Sequence, residues 1–125
     1  MPGVTTDQRH ALGRLGEDLA ARHFERLGYA VVAQRHRTRF GELDLVVTDG
    51  ERLVFVEVKA RRAGPTSPWA ALDDVKRAQV RRMAAAYLAD VRPRPFFDEV
   101  RFDAVGVTVD GQGALVALEH LEGAF

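Results

Sequence analysis

Gly41-Glu42-Leu43-Asp44-Leu45-Val46-Val47-Thr48-Asp49-Gly50-Glu51-Arg52-Leu53-Val54-Phe55-Val56-Glu57-Val58-Lys59-Ala60 is the stretch that decides how this chain folds. Two apolar runs of strand length flank Asp49-Gly50, the strongest short-range signal for a tight hairpin turn. With those two as the central turn residues, Thr48 faces Glu51, Asp44 faces Phe55 and Glu42 faces Glu57. Side chains alternate along a strand, so Glu42, Asp44, Glu57 and Lys59 are expected on one face. Asp44 and Glu57 then lie diagonally across the strands at about 7–8 Å, a gap that suits two carboxylates reaching toward one cation. Leu53 and Phe55 share that face, and Val54, Val56 and Val58 fill the other. A strand apolar on both faces is expected to be covered on both. Charge is costly to bury without partners, so the acids at the end of this strand mark either a cleft that holds a metal or a structural ion-pair network. Spacing alone favours neither.

Asp44, a spacer, then Glu57-Val58-Lys59 resembles the Asp…(Asp/Glu)-x-Lys signature of the restriction-endonuclease-like, PD-(D/E)xK, nucleases. The likeness continues through Gly13-Arg14-Leu15-Gly16-Glu17-Asp18, Phe40-Gly41-Glu42-Leu43-Asp44-Leu45, Val54-Phe55-Val56-Glu57-Val58-Lys59-Ala60-Arg61, Val100-Arg101-Phe102-Asp103-Ala104-Val105 and the ending Leu118-Glu119-His120-Leu121-Glu122-Gly123-Ala124-Phe125. In this order, and over nearly the whole chain, these segments resemble the YraN family of small bacterial proteins, placed in that nuclease-like superfamily. The resemblance implies an α/β fold with a central mixed β-sheet flanked by helices. It also implies hydrolysis of phosphodiester bonds in DNA, branched DNA included, by water activated on Mg²⁺ or Mn²⁺. Asp44 and Glu57, with Glu17 and the Val58 carbonyl, would hold the cation, and hard oxygen ligands suit these metals. Lys59 would orient the water or stabilise the transition state, and Glu42, opposite Glu57, would support the ligands from behind. The superfamily often has proline before the first acid; here Leu43 stands there.

Composition narrows the remaining possibilities. A chain of 125 residues is read as one domain, 1–125, with a core of its own. The absence of cysteine excludes disulfides and thiolate metal sites and is compatible with a reducing cytoplasm. No apolar run approaches membrane-spanning length and the N-terminus has no signal-peptide core, so a cytoplasmic protein is expected. Formal net charge is zero, yet residues 59–94 carry 9 Lys/Arg against 3 Asp/Glu. That basic segment directly follows the candidate site.

Taken in order, Thr6 or Asp7 is expected to cap a first helix to about Leu27, with Gly28 as its stop. Leu12, Leu15, Leu19, Phe24 and Leu27 form its apolar stripe. Glu17 sits at the edge of that stripe, where periodicity alone reads it as a packed stem with its head in water; the resemblance instead turns it toward the metal. Asp18 is expected to pair with Arg22 on the helix surface. Tyr29–Ala33 reads as a short strand, followed by a connection, Arg35-His36-Arg37-Thr38-Arg39. That run is either solvated or a rim that contacts phosphates.

After Lys59, Arg61-Arg62-Ala63-Gly64-Pro65-Thr66-Ser67-Pro68 reads as a loop beside the site, where Arg61 and Arg62 could meet substrate. Trp69 could stack on a base, although packing is the more frequent role of a lone tryptophan. Asp73 is expected to cap a second helix through Val91, with Val80, Met83, Ala84, Tyr87, Leu88 and Val91 inward. Lys76 lies in line with that buried stripe and Gln79 on its edge. Both are candidate phosphate contacts at a helix N-terminus, with a snorkelling lysine stem an equal reading. Phe97–Val109 reads as a strand, Asp110–Gly113 as a turn and Leu115–Leu118 as a last strand. Asp103 is expected to pair with Arg101 or a neighbouring strand.

Other chemistries lack their residues. Ser67 is the only serine and has no nucleophile-elbow glycines, and His10, His23, His36 and His120 show no metal-binding spacing. The reading is therefore a metal-dependent endonuclease whose partner is nucleic acid, DNA ahead of RNA, with no membrane role. A branched substrate would imply a homodimer, as in junction-resolving relatives. The rival reading is a nucleic-acid-binding module that does no catalysis and whose acidic cluster is vestigial.

Overall fold

The computed structural model describes residues 6–65, 69 and 72–125. Two helices and five strands follow in the order α1 (Thr6–Arg26), β1 (Ala30–Thr38), β2 (Gly41–Thr48), β3 (Arg52–Arg62), α2 (Asp74–Asp90), β4 (Glu99–Val109) and β5 (Leu115–Leu121). The strands form one sheet in the order β1-β2-β3-β4-β5. Only β3 and β4 run parallel; the other neighbours are antiparallel. The helix between β3 and β4 makes that parallel pairing possible, since a parallel neighbour needs a crossover long enough to return the chain.

Both faces of β3 are apolar, and each is covered by a helix. Val54, Val56 and Val58 join Leu45, Val47, Val105, Val107 and Val109 under Ala20, Ala21 and Phe24 of α1. Leu53 and Phe55 pack with Leu43 and Val46 under Val80, Met83, Ala84 and Tyr87 of α2. The result is a mixed sheet flanked by helices, consistent with a restriction-endonuclease-like core.

Several boundaries differ from expectation. The β2–β3 turn is longer than two residues. Thr48 pairs with Leu53 and Leu45 with Val56. Asp49 closes the turn, its Oδ1 accepting from Glu51 N at 2.9 Å and Arg52 N at 2.7 Å. Gly50 supplies the positive φ of 97° that glycine adopts without steric cost. A shift of two positions preserves the facing of every side chain in a two-residue repeat, so the two apolar faces survive, but the partners change. Carried to the strand ends, the count sets Asp44, not Glu42, level with Glu57.

Thr6 and Asp7 lie inside the first turn of α1, and its capping position falls outside the described residues, as do Thr66, Ser67 and Pro68 of the expected loop. Leu27 lies beyond α1 and is exposed. The basic run expected as a connection is mostly strand, because β1 extends to Thr38. At the second helix, Asp73 is the cap, its side chain accepting from Lys76 N at 2.9 Å.

Candidate active site

The β2–β3 ladder stops at Leu45 and Val56, and a side chain takes over where it ends: Asp44 Oδ2 accepts from Val58 N at 2.9 Å. The Val58 N–H thus joins this residue to Asp44. Glu57 is buried. Its Oε1 lies 3.3 Å from Lys76 Nζ and 3.5 Å from Lys59 Nζ. Lys76 therefore points inward, as the stripe on α2 implied, and its target in this structure is a carboxylate.

A kink in β1 shapes the other side. Leu43 packs with Val46 under α2, whereas Leu45 packs with Val47 under α1. Regular alternation would place Leu43 and Leu45 on one face, so the strand changes facing at Asp44. Across from it, between the pairs Gln34–Leu45 and His36–Leu43, sits Arg35 with φ 51°. That left-handed conformation is uncommon for a side-chain-bearing residue. Glu42 consequently does not share the face of Glu57. It pairs across the ladder with Arg37 and lines a cleft with Glu17 and Arg35 on the α1 side.

Glu17 comes down onto this strand end because α1 lies very close to β3. A Cβ on Gly16 would stand 2.5 Å from the Cβ of Ala60, so glycine is what permits the approach. Arg35 Nη1 holds Glu17 Oε1 at 2.9 Å, and Arg35 Nη2 reaches Asp18 Oδ1 at 3.4 Å. Asp18 also accepts from Gln34 at 3.1 Å, so β1 rather than Arg22 engages it.

These carboxylates strain one another. Burial, then the charge of Glu57, pushes Asp44 up to about 8, Glu17 adding to the push while the Val58 N–H and Lys76 pull against it. Burial also raises Glu17, with the hydrogen bond and charge of Arg35 opposing. Among the described residues no three acids or imidazoles are grouped so that they could hold a metal ion between them. Asp44, Glu57 and Glu17, whose charges act on Asp44 together, offer oxygen donors of the kind that Mg²⁺ takes when it keeps most of its water. A positive ion there would relieve the repulsion that lifts Asp44.

The expected phosphate contacts are scattered rather than gathered. Arg35 is committed to Glu17 and Asp18, and Arg39 lies 5.2 Å over the Phe40 ring. Arg61 donates to Gly64 O at 2.8 Å and Arg62 to Asp110 O at 3.2 Å. Gln79 donates to Phe40 O at 2.9 Å, tying α2 to the β1–β2 turn. Gly41, φ 131°, leaves room for that amide, since a Cβ there would meet Gln79 Nε2 at 2.9 Å. Arg37 is exposed. Trp69 donates to Glu119 at 3.2 Å.

Away from this centre, fully buried Asp103 accepts two bonds of 2.8 Å from Arg101, one of 2.7 Å from His120 Nε2 and one of 3.1 Å from Gly123 N. Burial alone would raise its pKa, but the bonds from His120, Arg101 and Gly123 outweigh it and hold the carboxyl below its usual range. An ionised carboxylate can only accept, so His120 Nε2 carries a proton. In neutral His120, Nδ1 then accepts from His23 Nε2 across 3.0 Å. Sequence spacing gave Asp103 its Arg101 partner, but nothing in it joined His23 of α1 to His120 of β5.

The sequence model of uncharacterised protein family UPF0102, the YraN family, matches residues 16–107, a span that holds Glu17, Asp44, Glu57, Lys59 and Lys76. The chain belongs to the YraN family. It is 48% identical over 116 residues to a UPF0102 protein of Streptomyces griseus, covering 92% of this chain and 96% of that one. A UPF0102 protein of Frankia casuarinae is 46% identical over 121 residues, 94% of this chain and 98% of its own length. The corresponding protein of Pelotomaculum thermopropionicum is 40% identical over 120 residues, covering 95% and 98%. YraN relatives from these three sources thus share nearly the full span of the chain, from α1 to the last strand.

Proposed function

We propose that this YraN-family protein is a metal-dependent nuclease that hydrolyses phosphodiester bonds in nucleic acid, DNA ahead of RNA. The observation that carries the reading is the carboxyl of Asp44, one residue beyond the last β2–β3 pair and bonded to Val58 N, with its proton affinity raised by burial and by Glu57. Buried acids set against one another, beside lysines, are more frequent at reactive sites than elsewhere. Asp44 and Glu57, with Glu17 nearby, would hold Mg²⁺ or Mn²⁺. That cation would supply a water of lowered pKa and offset charge on the reacting phosphate. Lys59 and Lys76, now on Glu57, are the cations within reach of a phosphate at the same place. Asp44 must lose its proton to act as a ligand, so activity should rise with pH through the neutral range.

A second reading has its own support. Glu57 already has two lysine partners and Glu17 has Arg35, which is how a purely structural ion network, in a module that binds nucleic acid without cutting it, would look. The test is incubation with Mn²⁺ and labelled single-stranded, duplex, flapped and four-way-junction substrates, with Asp44→Asn and Lys59→Ala run beside the wild type. Cleavage by the wild type alone supports the nuclease. Equal cleavage by all three, or none, removes it and leaves the binding module. Preference for the junction would bring with it the expectation of a homodimer.

A further inference from the structure

On the α1 side of the carboxylates lies a cleft of about 400 Å³ lined by Arg9, His10, Gly13, Arg14, Glu17, Arg35, Arg37 and Glu42. Arg35 is spent on Glu17 and Asp18. Arg9, Arg14 and Arg37 are exposed, and among the described residues none of them forms an ion pair. The wall therefore carries three uncommitted guanidiniums and an imidazole, while Glu17, at one side, couples the cleft electrostatically to Asp44. Gly13 adds no side chain, and a Cβ there would meet nothing within 4 Å, so the space beside α1 stays open.

We propose that this cleft holds one nucleotide of a single strand, its phosphate against Arg9, Arg14 and Arg37, with Glu17, whose charge also acts on Asp44, in the same wall. The volume falls at the small end of ligand pockets, room for one nucleotide but not for a double helix. Guanidiniums match phosphate oxygens in pairs, and Arg and His side chains also stack on an unpaired base. In a duplex the bases are stacked inward and only phosphates would reach the wall. Glu17 and Glu42 in the same wall repel phosphates and confine the contact to the arginine side. What happens to that strand next rests on the nuclease reading; the binding itself does not.

Fluorescence polarisation with labelled single-stranded and blunt duplex oligonucleotides, in EDTA so that no cleavage occurs, separates the two. The chain should bind the single strand at least about tenfold more tightly than the duplex. Arg14→Ala with Arg37→Ala should weaken that binding by about tenfold and lower the slope of log K against log salt by about 1.4, two phosphate contacts at about 0.7 each. Arg81→Ala with Arg82→Ala, on the exposed face of α2, should change neither. Equal affinity for duplex, or equal losses in the two double variants, overturns the cleft. Wild-type cleavage that is indifferent to Arg14 and Arg37 would overturn it and leave the nuclease standing, and single-strand binding without any cleavage would do the reverse.

Discussion

Asp44 carries a heavy electrostatic burden. Its folded pKa is raised toward about 8 by burial and by Glu57, whereas an unfolded aspartate titrates near 3.9. The folded state thus holds a proton that the unfolded state has released, and stability falls as pH rises between those values. Asp44→Asn removes that loss. At pH 8, without divalent cations, urea denaturation should show the variant more stable than wild type by at least about 1 kcal/mol, and the difference should vanish near pH 4. A variant that is less stable at pH 8 would mean that the bond to Val58 N outweighs the repulsion. Asp103 has the opposite sign. Its pKa is depressed by His120, Arg101 and Gly123 despite burial, so its contribution is present above the unfolded pKa and is lost as pH falls through the folded one. Asp103→Ala strands Arg101, which is mostly buried, and should cost about 3–5 kcal/mol at neutral pH, read as a drop in the urea midpoint.

At the scale of elements, the contact of α1 with β3 sets where Glu17 stands. Adding one methyl at Gly16 forces its Cβ against Ala60, in a layer where Ala20 and Phe24 are fully buried. Overpacking of this kind costs typically about 1–3 kcal/mol, so Gly16→Ala should lower the denaturation midpoint, and a Gly13→Ala control, with open space around its Cβ, should not lower it. The mixed sheet is what the family resemblance implies, while the strands and helices were legible because apolar spacing shows β3 covered on both sides and α2 shows its cap at Asp73. The hairpin register was not, since Asp49-Gly50 is equally compatible with a longer turn closed by the Asp49 carboxylate. The two-position shift hid no faces but moved the partner of Leu45 to Val56 and left Asp44 just beyond the last pair. Glu42 was misplaced for a different reason. The positive φ of Arg35 and that residue's bonds to α1 have no local signature in the sequence.

Across the whole molecule, charge that clusters in sequence disperses in space. The basic segment 59–94 sends Lys59 and Lys76 to Glu57, Arg77 to Asp74, and Arg92 and Arg94 to the carbonyls that end α2. Arg81 and Arg82 of the same segment stay exposed on α2, and further exposed arginines, Arg9, Arg14 and Arg37, lie on α1 and β1. What the fold does gather is acid, at a place where lysines only partly answer it. That imbalance makes a joint prediction for stability and cation binding. A ligand that binds only the folded state stabilises by RT ln(1 + [L]/Kd), about 2.7 kcal/mol at a hundredfold excess over Kd. Mg²⁺ or Mn²⁺ held by Asp44 and Glu57 should raise the wild-type melting temperature progressively with concentration, more steeply at pH 8 than at pH 6, because the ion competes with the proton on Asp44. Asp44→Asn, already relieved of the repulsion and lacking a ligand, should barely respond. The order of the two proteins should therefore invert along the titration, the variant melting higher without cation and the wild type higher at saturation. Parallel shifts in both would place the ion elsewhere. No shift in either would mean that the lysines on Glu57 and the proton on Asp44 already complete the site, and the carboxylates would then be a structural network.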